Sequence, residues 1–134
     1  MGKSFRELEV WQRSMELATA IYRVTEGFPR HETYGLSSQM RRCAVSIPSN
    51  IAEGSARATK RDFSHFITIA RGSAAELETQ LDIARRLGYV DQSNYESVEA
   101  LCFRVSRMLT KLLEAMRNAD SRAEREQRLT RATR

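Results

Sequence analysis

Apolar residues recur at alternating steps of four and three in the middle of this 134-residue chain. The members of this unbroken repeat are Phe63, Ile67, Ala70, Ala74, Leu77, Leu81 and Ala84. An α-helix completes a turn in about 3.6 residues, so the repeat puts all of them on one side of a helix. A β-strand has a period of two and does not fit. The chain must therefore contain a long amphipathic helix, which needs partners to bury its apolar side.

The same spacing recurs before and after this repeat and predicts three further helices. The predicted buried seam of the second helix is Leu36, Met40, Cys43, Ile47 and Ile51, and that of the fourth is Tyr95, Val98, Cys102, Val105, Leu109, Leu112 and Met116. A content of 6 Gly and 2 Pro supplies few turns, which favours long helices over a fold with many hairpins. Long apolar seams joined by short connections are typical of antiparallel neighbours in a bundle. We therefore predict an all-α fold, an antiparallel up-down-up-down four-helix bundle over residues 1–118, with helices at about 5–26, 33–54, 60–87 and 92–118.

Residue types that cap or stop helices set these boundaries. Ser4 and Glu7 have the spacing of a capping box at the start of the first helix. Pro48 lies within the second helix and predicts a kink there, and Gly54 is of the type found just past a helix end. The predicted caps of the third and fourth helices are Thr59, and Asp91 or Ser93.

Residues 119–134 form a segment of different composition. It is rich in Arg, and Leu129 is its only large apolar side chain. A segment without apolar periodicity has no face to bury against the bundle. We predict that it is a frayed or disordered C-terminal tail.

The apolar faces of three helices are wider than one bundle core requires. The first helix has one line formed by Leu8, Trp11, Met15, Ala18 and Tyr22, and a second line formed by Val10, Leu17, Ile21 and Val24. The third and fourth helices carry the further apolar residues Phe66, Ile69, Ile83, Leu101 and Met108. These lines fit either a wide core-facing stripe or a second surface buried against other subunits, and the sequence favours neither.

The net charge of +5 is unevenly distributed along the chain. Basic residues are in excess over residues 30–61 and 102–134, whereas acidic residues are in excess over residues 62–101. In an antiparallel bundle the two basic segments meet at one end, which collects Arg57, Lys60, Arg61, Lys111 and Arg117. The secondary candidates in the second helix are Arg41 and Arg42.

A solvated surface is the simplest explanation for this charge, and an anionic partner is the functional one. Arg outnumbers Lys by 19 to 3, and a guanidinium group binds phosphate through two parallel donors. Nucleic acid is the commonest such partner and is bound mainly through its backbone. A membrane surface is disfavoured because the tail has no apolar face to insert.

Residues suited to catalysis or metal binding are few. His65 follows Asp62 at a spacing found in di-iron bundles, but helix geometry turns it away from the apolar seam. His31 lies in a predicted connection. Cys43 and Cys102 lie on apolar faces, where a buried thiol is the ordinary case. The sequence contains no Gly-rich phosphate loop and no nucleophile motif, so we expect no enzyme activity, no metal and no cofactor.

The sequence also bears on the compartment. No apolar run approaches the length of a membrane span, and the N-terminus lacks the apolar core of a signal peptide. Two Cys are too few for a disulfide framework. We expect a cytoplasmic protein with free thiols.

One stretch of the chain resembles a known protein family. Residues 34–54, with the sequence YGLSSQMRRCAVSIPSNIAEG, are similar to the signature of the four-helix-bundle proteins called 23S rRNA intervening-sequence proteins. Further motifs of that family resemble FRELEVW at residues 5–11, Phe28-Pro29 followed by Glu32, and IARGSAAELE at residues 69–78. The likeness covers residues 5–116 in order and with matching spacing.

The resemblance implies an antiparallel four-helix bundle, often assembled as a ring of five, with no established enzyme activity. A related group, the accessory variability determinants of diversity-generating retroelements, resembles a basic ring that binds nucleic acid and a reverse transcriptase. The signature residues of interest are Ser46, Pro48, Asn50, Glu53 and Gly54.

The signature has a structural interpretation that we weigh above a functional one. The side chains of Ser46, Ser49 and Asn50 can bond carbonyl groups that Pro48 leaves free, and so hold the kink. Glu53 can pair with Arg41, Arg42 or Arg57. Gly72 lies within the third helix, where a close helix crossing would account for it. A polar contact with another subunit or a ligand is the alternative role of the signature.

Two functions are compatible with the sequence. The first is a non-enzymatic, oligomeric accessory protein, most simply a pentamer, that binds nucleic acid through a basic surface. The alternative is a protein–protein scaffold or assembly module with no nucleic-acid role and an acidic or hydrophobic partner. Salt-sensitive binding to generic RNA or DNA distinguishes the first from the second.

Overall fold

Four α-helices make up most of the chain, as the apolar periodicity predicts. The computed structural model describes residues 4–133, and this part of the chain contains no β-strand. The helices are α1 (Glu9–Glu26), α2 (Leu36–Ser55), α3 (Lys60–Arg86) and α4 (Gln92–Ala132). Two short 3-10 turns, Phe5–Glu7 and Arg30–Glu32, precede α1 and α2.

The helices form a four-membered bundle. Each helix packs against its neighbours in the chain, and α1 closes the ring against α4. Near the start of α3, the Ser64 hydroxyl lies 3.4 Å from the sulfur of Met116, well into α4. Near the end of α3, the Asp82 carboxylate accepts a 2.6 Å hydrogen bond from Tyr95, early in α4. These two contacts make α3 and α4 antiparallel, which is compatible with the predicted up-down-up-down order.

The bundle core is the one that the seams of α2, α3 and α4 predict. In α3 the buried side chains are Ile67, Ala70, Ala74, Leu77, Leu81 and Ala84, and in α4 they are Val98, Cys102, Val105, Leu109 and Met116. In α2, Met40, Ile47 and Ile51 are fully buried. Complete removal of this apolar surface from water is the main stabilising contribution to the fold.

Of the two apolar lines on α1, the second one enters the core. Leu17 and Ile21 are fully buried, whereas Met15 and Tyr22 of the first line are 39% and 43% exposed. The buried side also contains two polar residues, Ser14 and Thr25, whose hydroxyls donate to the carbonyls of Trp11 (2.8 Å) and Ile21 (2.7 Å). These internal hydrogen bonds make the polar side chains tolerable in the core, and a pattern of apolar residues alone does not reveal them.

The N-termini of α3 and α4 are capped by the predicted residues Thr59 and Asp91. The Thr59 side chain accepts a 3.1 Å hydrogen bond from the amide of Asp62, and the Asp91 carboxylate accepts one of 2.8 Å from the amide of Asn94. After α3, Gly88 has a φ of +76°, and the amide of Tyr89 donates to the carbonyl of Ala84. This hydrogen bond closes the helix in the Schellman manner.

The starts of α1 and α2 differ from the prediction. Ser4 accepts a 3.3 Å hydrogen bond from the amide of Arg6 and so caps a 3-10 turn, and α1 begins only at Glu9. The α2 helix begins at Leu36 instead of residue 33 because residues 30–32 form the second 3-10 turn. Glu32 from this turn accepts a 3.3 Å hydrogen bond from the amide of Leu36, which satisfies one free donor at the start of α2.

Residues 119–132 of the predicted C-terminal tail are helical in the structure, and residue 134 of that tail lies outside the described residues. The α4 helix does not end at residue 118 but continues to Ala132. Beyond Met116 nearly all of its described side chains are exposed, so packing does not hold this part. Its Arg, Ala, Glu and Gln residues are strong helix formers, and the helix propagates from the packed part of α4 without a new nucleus.

Two glycines within helices have different environments. Gly54 lies inside α2, not past its end as predicted, and a Cβ there would lie 2.8 Å from the Cβ of Phe66 in α3. Gly72 lies in α3 with no atom within 4 Å of such a Cβ, so the predicted close crossing at Gly72 is wrong within the described chain. The close approach of two helices is at Gly54.

We expect Gly54→Ala and Gly72→Ala to change stability in opposite directions. At Gly54 the added methyl group forces α2 and α3 apart and should lower the free energy of unfolding by about 1–3 kcal/mol. At Gly72 it meets open space and should raise the free energy of unfolding by up to about 1 kcal/mol, the helix propensity difference. Urea unfolding followed by circular dichroism measures both. A destabilised Gly72→Ala protein would contradict the open environment of Gly72.

Candidate nucleic-acid interface

One end of the bundle gathers the five predicted cationic side chains, which we call the basic end: Arg57, Lys60, Arg61, Lys111 and Arg117. The turn between α2 and α3 supplies Arg57, the start of α3 supplies Lys60 and Arg61, and the middle part of α4 supplies Lys111 and Arg117. The Ser64–Met116 contact brings these parts of α3 and α4 together. All five side chains are exposed. The geometry therefore presents positive charge from three helix segments on one surface.

Arg57 has a structural partner within the basic end. Its guanidinium group forms an ion pair with Glu53 one turn earlier and lies 4.8 Å from the centre of the Phe66 ring. Of the three predicted partners for the signature residue Glu53, Arg57 is the one observed. Its charge is therefore partly compensated, which leaves the other four cations as the stronger candidates for an anionic ligand.

The secondary candidates Arg41 and Arg42 do not join the basic end. Both lie in the first half of α2, at the opposite end of the bundle. Arg41 donates to the hydroxyl of Thr25 (2.8 Å) and to the carbonyl of Tyr22 (3.3 Å) at the end of α1. These hydrogen bonds give Arg41 a role in holding α1 against α2. Arg42 is exposed beside a polar groove between α2 and α3.

The signature residues form a polar bridge between α2 and α3. The hydroxyls of Ser46 and Ser73 are 2.6 Å apart, and the Cys43 thiol lies 3.0 Å from the carbonyl of Ser73. The Asn50 side chain donates to the carbonyl of Ser46 at 2.7 Å. Pro48 removes the amide that would bond the carbonyl of Ala44, so Asn50 does not serve the carbonyl we predicted. The α2 helix nevertheless continues through Pro48.

The half of the bundle away from the basic end carries an acidic group of side chains. Glu78 in α3 has a raised pKa because of its partial burial and because of the charges on Glu99 and Asp82. Mutual repulsion among carboxylates disfavours ionisation of any one of them. These carboxylates therefore lie apart from the basic end, but the same half of the bundle also carries Arg30, Arg41 and Arg86, so the predicted segregation of charge is only partial.

An apolar groove between α1 and α2 is the feature that sequence reasoning missed. It encloses about 580 Å³ and is lined by Trp11, Met15, Ala18, Thr19, Tyr22, Arg23, Val45, Pro48, Ser49 and Ala52. The first apolar line of α1 thus forms one wall, and α2 forms the other. The sequence signal for this groove was the wide apolar face of α1. That α2 forms the second wall could be seen only from the folded structure.

The two thiols are buried and have strongly raised pKa values. The pKa of Cys43 is raised to about 12, mainly by burial and to a smaller extent by the negative charge of the nearby Glu76. The pKa of Cys102 is likewise raised to about 12, mainly by burial and to a smaller extent by the negative charge of Glu78. Only a thiolate is a competent nucleophile, so neither Cys is suited to catalysis in this fold.

We expect both thiols to resist modification while the protein is folded. A pKa near 12 in place of 9 lowers the thiolate fraction about a thousandfold at neutral pH, and burial also excludes the reagent. A chromogenic disulfide reagent at pH 8 should label neither Cys in the native protein within minutes and both in urea. Rapid labelling of the native protein would contradict this assignment.

The histidines show no metal-binding arrangement. His31 lies 3.3 Å from the hydroxyl of Tyr89, which in turn donates to Glu32, and this contact joins two loops. His65 is exposed beside Phe66. Within residues 4–133 no group of three or more His, Cys, Asp or Glu residues could hold a metal ion. No helix in the same part of the chain is long and apolar enough to span a membrane.

The comparisons with known proteins agree with the bundle fold. A family model described as 23S rRNA-intervening sequence protein matches residues 6–111, which leaves the last part of α4 outside the match. A similar solved structure is the crystal structure of a protein with unknown function, from the S23 ribosomal protein family of Bacteroides thetaiotaomicron. It has a TM-score of 0.71 and 26% sequence identity, and the alignment covers 78% of this chain and 97% of that one. Comparison with curated proteins gave no match.

Proposed function

Because the chain belongs to the family of 23S rRNA-intervening sequence proteins, we propose that it binds the phosphate backbone of nucleic acid through its basic end. The observation that carries this proposal is the convergence of four exposed cations, Lys60, Arg61, Lys111 and Arg117, from α3 and α4. Backbone phosphates are the natural ligand of such a surface, since each contact releases condensed counterions.

The chemistry of the basic end favours binding without sequence preference. Base stacking requires exposed aromatic rings, but Phe63 and Phe66 are half-buried there, and Arg57 covers the ring of Phe66. Affinity then comes from charge alone and falls steeply with salt.

We expect Lys60→Gln with Arg61→Gln to weaken binding and to flatten its salt dependence by about two units of slope, one for each lost phosphate contact. Fluorescence anisotropy with labelled RNA and DNA, over a range of salt concentrations, measures both effects. The matched control is Arg30→Gln with Arg86→Gln, which removes the same charge at the opposite end of the bundle and should leave the slope unchanged. Absence of binding by the unmodified protein at low salt would refute the proposal and favour the scaffold alternative.

The apolar groove supports assembly as a second part of this function. Three apolar side chains along its rim, Met15, Tyr22 and Val45, are about two-fifths exposed. Contact of apolar surface with water is unfavourable, and a second copy of the chain packed on the groove would remove it. The family resemblance implies a ring of five. Such a ring repeats the basic end around its axis, so several weak contacts act on one polyanion at raised effective concentration.

We expect Val45→Glu to disrupt the assembly and leave the fold intact. The new carboxylate would be buried without a partner at a subunit interface, whereas in a monomer it stays hydrated at a site that is 42% exposed. Light scattering should give five times the 15.4 kDa chain mass for the unmodified protein and a lower mass for the variant. Ile83→Glu is the control, since Ile83 is 44% exposed but lies outside the groove. A 15.4 kDa mass for the unmodified protein would contradict the assembly.

A further inference from the structure

The last part of α4 projects beyond the bundle as a single helix. Arg117 and Asp120 still line a groove with Ser64 of α3, whereas residues 121–133 are all exposed and α4 continues to Ala132. At 1.5 Å per residue the twelve residues from 121 to 132 extend about 18 Å. An isolated helix of this length is marginal in water, because no tertiary contact offsets the ordering of its backbone. The projection is therefore a segment that a ligand would stabilise.

Seven cationic residues lie along the outer face of α4, and Arg104, the first of them, is paired with Glu9. At about 100° per residue they fall within an arc of about 140°, on the side opposite to the buried residues of α4. We call the other six the α4 stripe, and its members are Arg107, Lys111, Arg117, Arg122, Arg125 and Arg128. All six side chains are exposed. Between Arg107 and Arg128, Glu114 is the one acidic residue on this arc, and Glu124 and Glu126 lie just outside it.

The stripe has little internal charge compensation. Within residues 4–133 the ion pairs involve Arg13, Arg57 and Arg104, and none of them involves a member of the α4 stripe. Five of its six members are Arg, whose planar fork suits phosphate oxygens. From Arg107 to Arg128 the stripe is about 32 Å long, which matches about nine base-pair steps of a duplex at 3.4 Å each.

We propose that the α4 stripe is a linear phosphate-binding element, and that its projecting part contacts a nucleic-acid backbone beyond the basic end. This inference rests on the proposed function and extends it to Arg122, Arg125 and Arg128, which lie in the segment predicted to be a disordered tail. An acidic protein surface is the competing ligand. A long row of cations on a rod favours the continuous row of charges on a nucleic-acid strand, because cations from successive parts of the helix can each meet a further phosphate.

The test uses the full-length chain carrying Arg122→Gln, Arg125→Gln and Arg128→Gln together. Gln has a helix propensity close to that of Arg, so the projection is retained while the charge is lost. The control carries Arg30→Gln, Arg86→Gln and Arg131→Gln, which removes the same charge from positions off the stripe. The probes are a labelled 20-base-pair DNA duplex and an RNA duplex of equal length, titrated from about 50 to about 200 mM salt.

We expect the stripe variant to lose at least tenfold in affinity for both probes, and its salt slope to fall by about three units. The control variant should bind as the unmodified protein does. Circular dichroism and light scattering must show the same helix content and mass for all three proteins.

Other outcomes separate the two levels of the proposal. If the stripe variant binds as the control does, the phosphate-binding role of the projection is wrong while binding by the basic end stands. If the unmodified protein binds neither probe at low salt, both proposals fall. If polyglutamate of equal charge displaces the probes as effectively as unlabelled duplex does, the stripe recognises acidic chains in general, and the nucleic-acid assignment is overturned.

Discussion

The close contact between α2 and α3 determines where the charged surfaces of this bundle lie. At Gly54 the absence of a side chain lets α2 approach Phe63 and Phe66 of α3. Further along the same pair of helices, the hydroxyls of Ser46 and Ser73 meet at 2.6 Å. Two contacts at separate heights fix the register of α2 on α3, since sliding either helix would break both. The start of α3, which carries Lys60 and Arg61, is therefore held in one position relative to α2.

The fold was largely predictable because burial acts on the same periodicity that the sequence displays. The seams of α3 and α4 entered the core as predicted, and Thr59 and Asp91 capped their helices. On α1 the periodicity left two adjacent lines. The choice between them depended on Ser14 and Thr25, whose hydroxyls are satisfied inside the helix and can be buried. The role of Gly54 required its partner in α3, which sequence spacing does not supply.

The candidate site was predictable to a smaller extent. Antiparallel order correctly brought Lys60, Arg61 and Lys111 to one end, because that result needs only the direction of each helix. It did not separate Arg57, which pairs with Glu53, from its exposed neighbours. Arg41, a secondary candidate in the second helix, bonds Thr25 at the other end. Such local pairings depend on side-chain geometry, so charge alone overestimates the number of cations available to a ligand.

The separation of charge along the bundle has a consequence for how the molecule meets a partner. Acidic side chains around Glu78, Asp82 and Glu99 occupy one half, and exposed cations occupy the other end and the outer side of α4. Under the proposed function, the field of a polyanion would exert a torque on these separated charges that turns the basic end forward before any contact forms, which would raise the productive fraction of encounters. The acidic side chains would then face away from the polymer, so the charge pattern would set both the association rate and the polarity of binding.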